Sequence, residues 1–211
     1  MPKAAFITFE GMDGSGKTTQ MRLLASYLRE RGREVLETAE PGGTRIGREI
    51  RRILLDSANQ ELRPTAEMLL YFACRAQNVD EWIRPALAVG KIVLSDRFTD
   101  STLVYQGCGR GLGADAVMTL DRIACRGLVP DLTLLIDIDA ETSLERAHAR
   151  NAKTRDRETR MDEQSLEFHR RVYDAYHALA AREPDRVRLI DGCAGIDAIA
   201  QGIRKAVEPY V

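Results

Sequence analysis

Near the start of the chain, Gly11-Met12-Asp13-Gly14-Ser15-Gly16-Lys17-Thr18 fits the pattern G-x-x-x-x-G-K-T. An apolar run, Ala4 to Phe9, precedes it and a helical pattern opens at Lys17. The glycines free the backbone to turn its N–H groups inward on a phosphate chain, and the start of the helix adds partial positive charge there. Lys17 would reach the β- and γ-phosphates of a nucleotide, and the Thr18 hydroxyl would ligate Mg²⁺. A flexible Gly/Ser turn with a solvated lysine uses the same letters, but the flanking strand and helix are the context a phosphate loop needs. Nucleoside triphosphate binding is the expectation.

Three further groupings could do chemistry beside such a loop. Asp96-Arg97 follows the apolar run Lys91 to Ser95, so a carboxylate and a fork-shaped cation arrive together at a strand's carboxyl end. Arg97 suits an acceptor phosphate and Asp96 the neighbourhood of a metal. Tyr71 and Arg75 are four apart in a helical pattern and project from one face, where a ring can stack on a planar base and a guanidinium can bond its edge. A core tyrosine beside a surface arginine is the plainer reading of that pair. From Arg150 to Glu163 the chain carries Arg150, Lys153, Arg155, Arg157 and Arg160 among acidic residues, with almost nothing apolar. Mixed charge of this kind usually marks a solvated face. Beside a phosphate loop it also fits a mobile lid whose arginines close over a polyphosphate.

The elements that must position these groups alternate. A helix after the loop, with Met21, Leu24, Ala25 and Leu28 at helical spacing, should stop at Gly32. Glu34 to Thr38 reads as a second strand, and Thr44 can cap a helix whose buried stripe would be Ile46, Ile50, Ile53 and Leu54. A longer helical pattern from Thr65 runs past Trp82 to Val89, with a kink or break expected at Pro85. Lys91 to Ser95, Asp131 to Asp137 and Val187 to Ile190 supply three more strands. Strand–helix alternation with crossover lengths predicts a three-layer α/β domain around a parallel sheet of five strands.

At 211 residues and 44% hydrophobic content the chain suits one domain with one substantial core. Its net charge of −1 gives no global reason to expect a nucleic-acid or membrane-surface partner. No apolar stretch approaches the roughly 18 residues of a membrane span, and Met1-Pro2-Lys3 leads straight into a strand, so a cytoplasmic protein is expected. Cys74, Cys108, Cys125 and Cys193 show no metal-ligand spacing and read as reduced thiols. No Asn-Lys-x-Asp motif for reading guanine is present, which counts against a GTPase switch.

Several motifs occur together and in order: Phe9-Glu10-Gly11 with the phosphate loop, Glu40-Pro41-Gly42-Gly43-Thr44, Tyr71-Phe72-Ala73-Cys74-Arg75, Asp96-Arg97-Phe98, Ser101-Thr102 with Tyr105-Gln106, Gly109-Arg110-Gly111 and Pro130-Asp131-Leu132-Thr133. In them the sequence resembles the thymidylate kinase family nearly end to end. The resemblance implies a P-loop kinase core, a homodimer, Mg²⁺-ATP as donor and dTMP as acceptor. Another nucleoside monophosphate kinase, or a non-catalytic nucleotide switch, is the competing reading.

By matching position, the resemblance implies thymine against Tyr71, with Phe72 as a rival ring, and the base edge against Arg75. It brings Ser101, Thr102 and Gln106 near the base and Tyr105 against the sugar. Arg97 and Arg51 become acceptor-phosphate contacts, Asp13 faces the sugar 3′-hydroxyl, and Arg150 stacks on the donor adenine. The family divides by whether its catalytic arginine lies in the loop or in the lid. Gly14 follows Asp13 here, so the resemblance is to the bacterial lid-arginine type, with Arg160 the best match and Arg155 and Arg157 its rivals in a lid over about 150–163.

Overall fold

A computed structural model describes residues 4–154 and 158–211. Five parallel strands form one sheet in the order β2-β3-β1-β4-β5: β1 (Ala5–Glu10), β2 (Val35–Ala39), β3 (Ile92–Asp96), β4 (Leu132–Asp137) and β5 (Val187–Asp191). Between them run α1 (Lys17–Glu30), α2 (Arg45–Leu55), α3 (Pro64–Asn78), α4 (Arg84–Ala88), α5 (Thr99–Thr102), α6 (Ala114–Ala124), α7 (Ala140–Thr154) and α8 (Leu166–Arg182), with α9 (Ile196–Val207) after β5. The expected three layers are present. Ile7, Phe9, Leu94 and Leu134 pack with Leu24 and Leu28 of α1 and Ile203 of α9 on one face. The other face is covered in two parts, by Phe72, Phe98 and Val117 against Phe6 and Val93, and by Val172, Tyr176 and Leu179 of α8 with Leu135.

The strand order dictates where a ligand can sit. After β1 the chain crosses to β2, and after β3 it crosses back past β1 to β4, so the connections diverge between β1 and β3. Phe9 is paired with Asp96 at this point. The carboxyl ends of two diverging strands leave a crevice that no crossover covers, and the phosphate loop and Asp96-Arg97 both open into it.

Local signals read from sequence hold where chemistry is local. Thr44 Oγ1 accepts from Gly47 N at 2.9 Å as the cap of α2, and Gly32 and Gly90 end their helices at positive φ. One expectation fails and two are narrowed. Proline does not break the helix at Pro85; α3 widens into a π-helical stretch over Val79–Ile83 and continues as α4, the wider turn making room for a ring that cannot donate. The stripe on α2 is not buried as expected: Leu54 and Leu55 are, but Ile46 and Ile53 are 43% and 47% exposed. The described residues of the Arg150 segment are not a uniformly solvated face, the plainer of its two readings. Its start is the last part of α7, and Arg160, Met161 and Asp162 are buried.

Candidate functional site

Gly11 is where the chain leaves the sheet for the phosphate loop. Its φ is +131°, and a Cβ there would lie 2.4 Å from Ile136 O on β4, so only glycine lets the loop start this close to the sheet. At Gly14 a Cβ would meet Arg146 Cβ at 2.8 Å and Ser143 O at 3.1 Å, because α7 lies directly over the loop. Ser143 Oγ fastens the contact by donating to Asp13 O at 2.7 Å.

Lys17 folds back on its own loop, donating to Met12 O at 2.7 Å and Gly11 O at 3.1 Å. Burial, and then the nearby Arg97, lower its pKa to about 8 against the pull of Asp13 and Asp96. Thr18 Oγ1 donates to Asp96 Oδ2 at 2.6 Å, which joins the start of α1 to the end of β3. Both are oxygens, the ligand type that hard cations take.

Arg97 occupies the crevice in a left-handed backbone conformation, φ +74°. That strain is held by Arg97 N donating to Phe9 O and Ser95 Oγ donating to Arg97 O. Its Nη2 donates to Asp13 Oδ1 at 2.8 Å, and its Nη1 to Ser101 Oγ at 2.9 Å and Tyr176 Oη at 3.2 Å. Tyr105 Oη donates to Asp13 Oδ2 at 3.2 Å. Burial alone would raise the pKa of Asp13, but Arg97 and then Lys17 outweigh it and keep the carboxyl far below the usual range.

Behind Arg97 lies a carboxylate that sequence reasoning passed over. Glu10 ends β1 and is buried; its Oε1 accepts from Phe98 N at 2.8 Å and its Oε2 from Ser101 Oγ at 2.5 Å and Tyr176 Oη at 2.8 Å. Both hydroxyls spend their protons on Glu10, so their lone pairs face Arg97. The available signal was a glutamate closing an otherwise apolar strand; Tyr176, far along the chain on α8, gave none. Burial, and then Asp100, push Glu10 up to about 7 against Arg97 and the hydroxyls. An acid raised in the folded state favours folding at low pH, and that advantage fades as pH rises from its unfolded value through about 7. Relative to Glu10→Gln, the wild type should therefore lose on the order of 1 kcal/mol per pH unit across that window. Urea unfolding of both proteins at pH 5 to 8 reads this directly, and parallel curves would contradict it.

A second wall of the crevice is built on α3. Arg75 is buried, with Nε donating to Glu40 Oε2 at 2.5 Å and Nη2 to Phe98 O at 3.0 Å and Thr102 Oγ1 at 2.9 Å. Its Nη1 has no partner among the described residues and the side chain lines the cleft. Tyr71 lines the same wall, whereas Phe72, one residue on and so turned away, is a core residue packed beneath Arg75 and not a cleft ring. Ser101, Thr102, Tyr105 and Gln106 complete the wall from α5 and a π-helical stretch, Leu103–Gly109.

All of this opens into one cleft of about 500 Å³, which Gly14, Gly16, Lys17, Thr18 and Asp96 also line. Arg51 of α2 reaches it too, donating to Pro41 O and to Glu158 Oε2, both at 2.8 Å. Arg150 lines it from α7, donating to Asp162 Oδ2 at 2.8 Å. Arg160 does not line it. Although the sequence pattern makes it the first choice for a lid arginine, its guanidinium is 2% exposed, with Nε on Leu54 O at 2.5 Å and Nη1 on Glu67 Oε2 at 2.7 Å. A buried carboxylate on α3 holds it out of the cleft lining. Arg155 and Arg157 lie outside the described residues.

Among known proteins, the sequence profile described as thymidylate kinase matches residues 9–203. The thymidylate kinase of Pelobacter propionicus is 51% identical over 199 residues, covering 94% of this chain and 91% of its own. That of Gloeobacter violaceus is 47% identical over 206 residues, covering 98% and 95%. The crystal structure of thymidylate kinase from Ehrlichia chaffeensis superposes with a TM-score of 0.78 at 33% identity, covering 98% of this chain and 99% of that one.

Proposed function

The chain belongs to the thymidylate kinase family and so transfers the γ-phosphoryl group of ATP to dTMP, giving dTDP, and from that premise we propose which residues carry the reaction. The observation that supports the assignment is that the Asp13–Arg97 ion pair bridges a phosphate-loop wall, with Lys17 and Thr18, and a base-sized wall, with Tyr71 and Arg75, inside one cleft.

On the donor side, the backbone of Gly11 to Gly16 wraps the ATP phosphates and Lys17 leaves its own carbonyls to pair with the β- and γ-oxygens. Thr18 Oγ1 and Asp96 Oδ2, at 2.6 Å, are an all-oxygen pair of the kind Mg²⁺ takes together with substrate phosphates. Bound there, Mg²⁺ would neutralise the phosphate oxygens. On the acceptor side, Tyr71 stacks on thymine and the unpartnered Arg75 Nη1 donates to its O4. Asp13 faces the sugar 3′-hydroxyl, Tyr105 lies against the sugar, and Arg97 and Arg51 hold the acceptor phosphate.

That phosphate has a second pKa of about 6 and is already a dianion at neutral pH. No general base is required. One of its oxygens attacks the γ-phosphorus, the bond to the β–γ bridging oxygen breaks, and ADP carries away the electron pair. The protein's work is to hold two anions in line and neutralise them. With Arg160 engaged by Glu67, the cation that meets the transferring group comes from the stretch between Arg150 and Arg157.

The chain would act as one kinase domain, in the cytoplasm and as a homodimer. Supporting the dimer, α2 and α3 each carry an exposed apolar stripe, Ile46 and Ile53 on one and Ala66, Leu69 and Ala73 on the other, which a second copy would cover. The acceptor is tested by ADP formation with Mg²⁺-ATP across dTMP, dCMP, AMP and GMP. Turnover should be fastest with dTMP, and a dTMP rate no better than the others would overturn the reading.

A further inference from the structure

Beneath the acceptor wall, three residues from two separate segments converge on one buried carboxylate. Glu67 of α3 is wholly buried. Its Oε1 accepts from Gln106 Nε2 at 2.8 Å and Arg110 Nε at 3.1 Å, and its Oε2 from Arg110 Nη2 at 3.0 Å and Arg160 Nη1 at 2.7 Å. Burial would raise this acid, but the hydrogen bonds from Arg110 and Gln106 outweigh it and hold the carboxyl low, so it stays ionised and can only accept.

That fixes a choice that a side-chain amide otherwise leaves open. A glutamine offers two donors on one side and an acceptor on the other, and its neighbours decide which way it faces. Against a carboxylate the NH₂ of Gln106 must turn inward. Its Oε1 accepts nothing from any described residue, and Gln106 lines the cleft beside Arg75. Among the described residues, the lining of the cleft thus carries a donor without a partner, Arg75 Nη1, and an acceptor without one, Gln106 Oε1. Thymine carries the complement, the O4 acceptor beside the N3–H donor. Cytosine carries the reverse.

We propose that Glu67 is a specificity-determining positioning residue: by locking the Gln106 amide with its oxygen toward the cleft, it makes the site accept an imide edge and reject a cytosine edge. This rests on the dTMP reading above. The same carboxylate holds Arg160 and Arg110, and Arg110 Nη1 donates to Gln164 at 2.7 Å while Gln164 Nε2 donates to Arg160 O at 2.9 Å. The return of the lid is thus anchored to the residue that sets the base code.

Glu67→Gln tests it, because the outcome follows from donor counting. The two arginines are obligate donors and claim the single oxygen of the new amide at the Oε2 position. Its NH₂ then occupies the Oε1 position and faces Gln106, which turns its own oxygen inward to accept and leaves NH₂ toward the cleft. Equilibrium binding of dTMP and dCMP to the full chain should show the dTMP:dCMP preference narrowed by about tenfold or more. The narrowing is partial because Arg75 still disfavours the cytosine amine. A purely structural Glu67 would weaken both nucleotides alike and leave the ratio unchanged, which overturns the proposal. If Glu67→Gln does not fold, Glu67→Gln with Arg110→Met removes the donor left facing the new NH₂, and the same narrowing is expected. Arg110→Met alone keeps the Glu67–Gln106 contact and should keep the ratio; narrowing in that variant also overturns the proposal. Equal binding of the two nucleotides by the wild type would instead sink the acceptor assignment itself.

Discussion

Replacing Lys17 with alanine should lower turnover by roughly 10³-fold, the loss expected when a preorganised group aimed at developing charge is removed, while dTMP affinity stays within a few-fold of wild type. The separation follows from where the ammonium sits. It is held by the loop's own carbonyls, Met12 O and Gly11 O, and among the described residues it makes no hydrogen bond to the wall that holds Tyr71 and Arg75. Steady-state kcat together with calorimetric dTMP binding checks both halves. A large fall in dTMP affinity would mean that the donor and acceptor walls have been exchanged.

The second large effect is expected at Arg97. Arg97→Ala should reduce kcat/KM for dTMP by about 10³-fold or more, because the residue is proposed to clamp the incoming phosphate and to spread its charge in the transition state. It should also reorganise the site, since Asp13 loses its main counter-ion. Arg97→Lys should recover little. An ammonium cannot reach Asp13 on one arm and Ser101 with Tyr176 on the other, as the guanidinium does. Near-normal kinetics in the lysine variant would show that charge alone is needed and that the fork is incidental.

What could be read from the sequence was what local chemistry constrains. The phosphate loop, the cap at Thr44 and the delivery of Asp96-Arg97 by a buried strand each lie within a few residues of their cause. The choice between Tyr71 and Phe72 needed only the phase of α3, which places one on the cleft and the next in the core. Arg160 was a different problem. A run of arginines says where cations are, and only the folded chain brings Glu67 to one of them. Ile46 and Ile53 failed for a related reason: an apolar stripe does not say whether the rest of this chain packs over it, and both stay exposed. Glu10 and Tyr176 meet across most of the chain, and nothing in either neighbourhood announces the other.

The tight seating of α7 on the phosphate loop bears on how this kinase could change. At Gly14, where part of the family carries its catalytic arginine, the first atom of any side chain would strike the body of Arg146 and the backbone at Ser143. Supplying the cation from the loop and resting α7 on the loop are therefore alternatives that cannot coexist in this framework. A single substitution at Gly14 would not carry the chain from one solution to the other. α7 would first have to lift away, and Arg150 and Asn151, which line the cleft from its end, would be carried off in the same step.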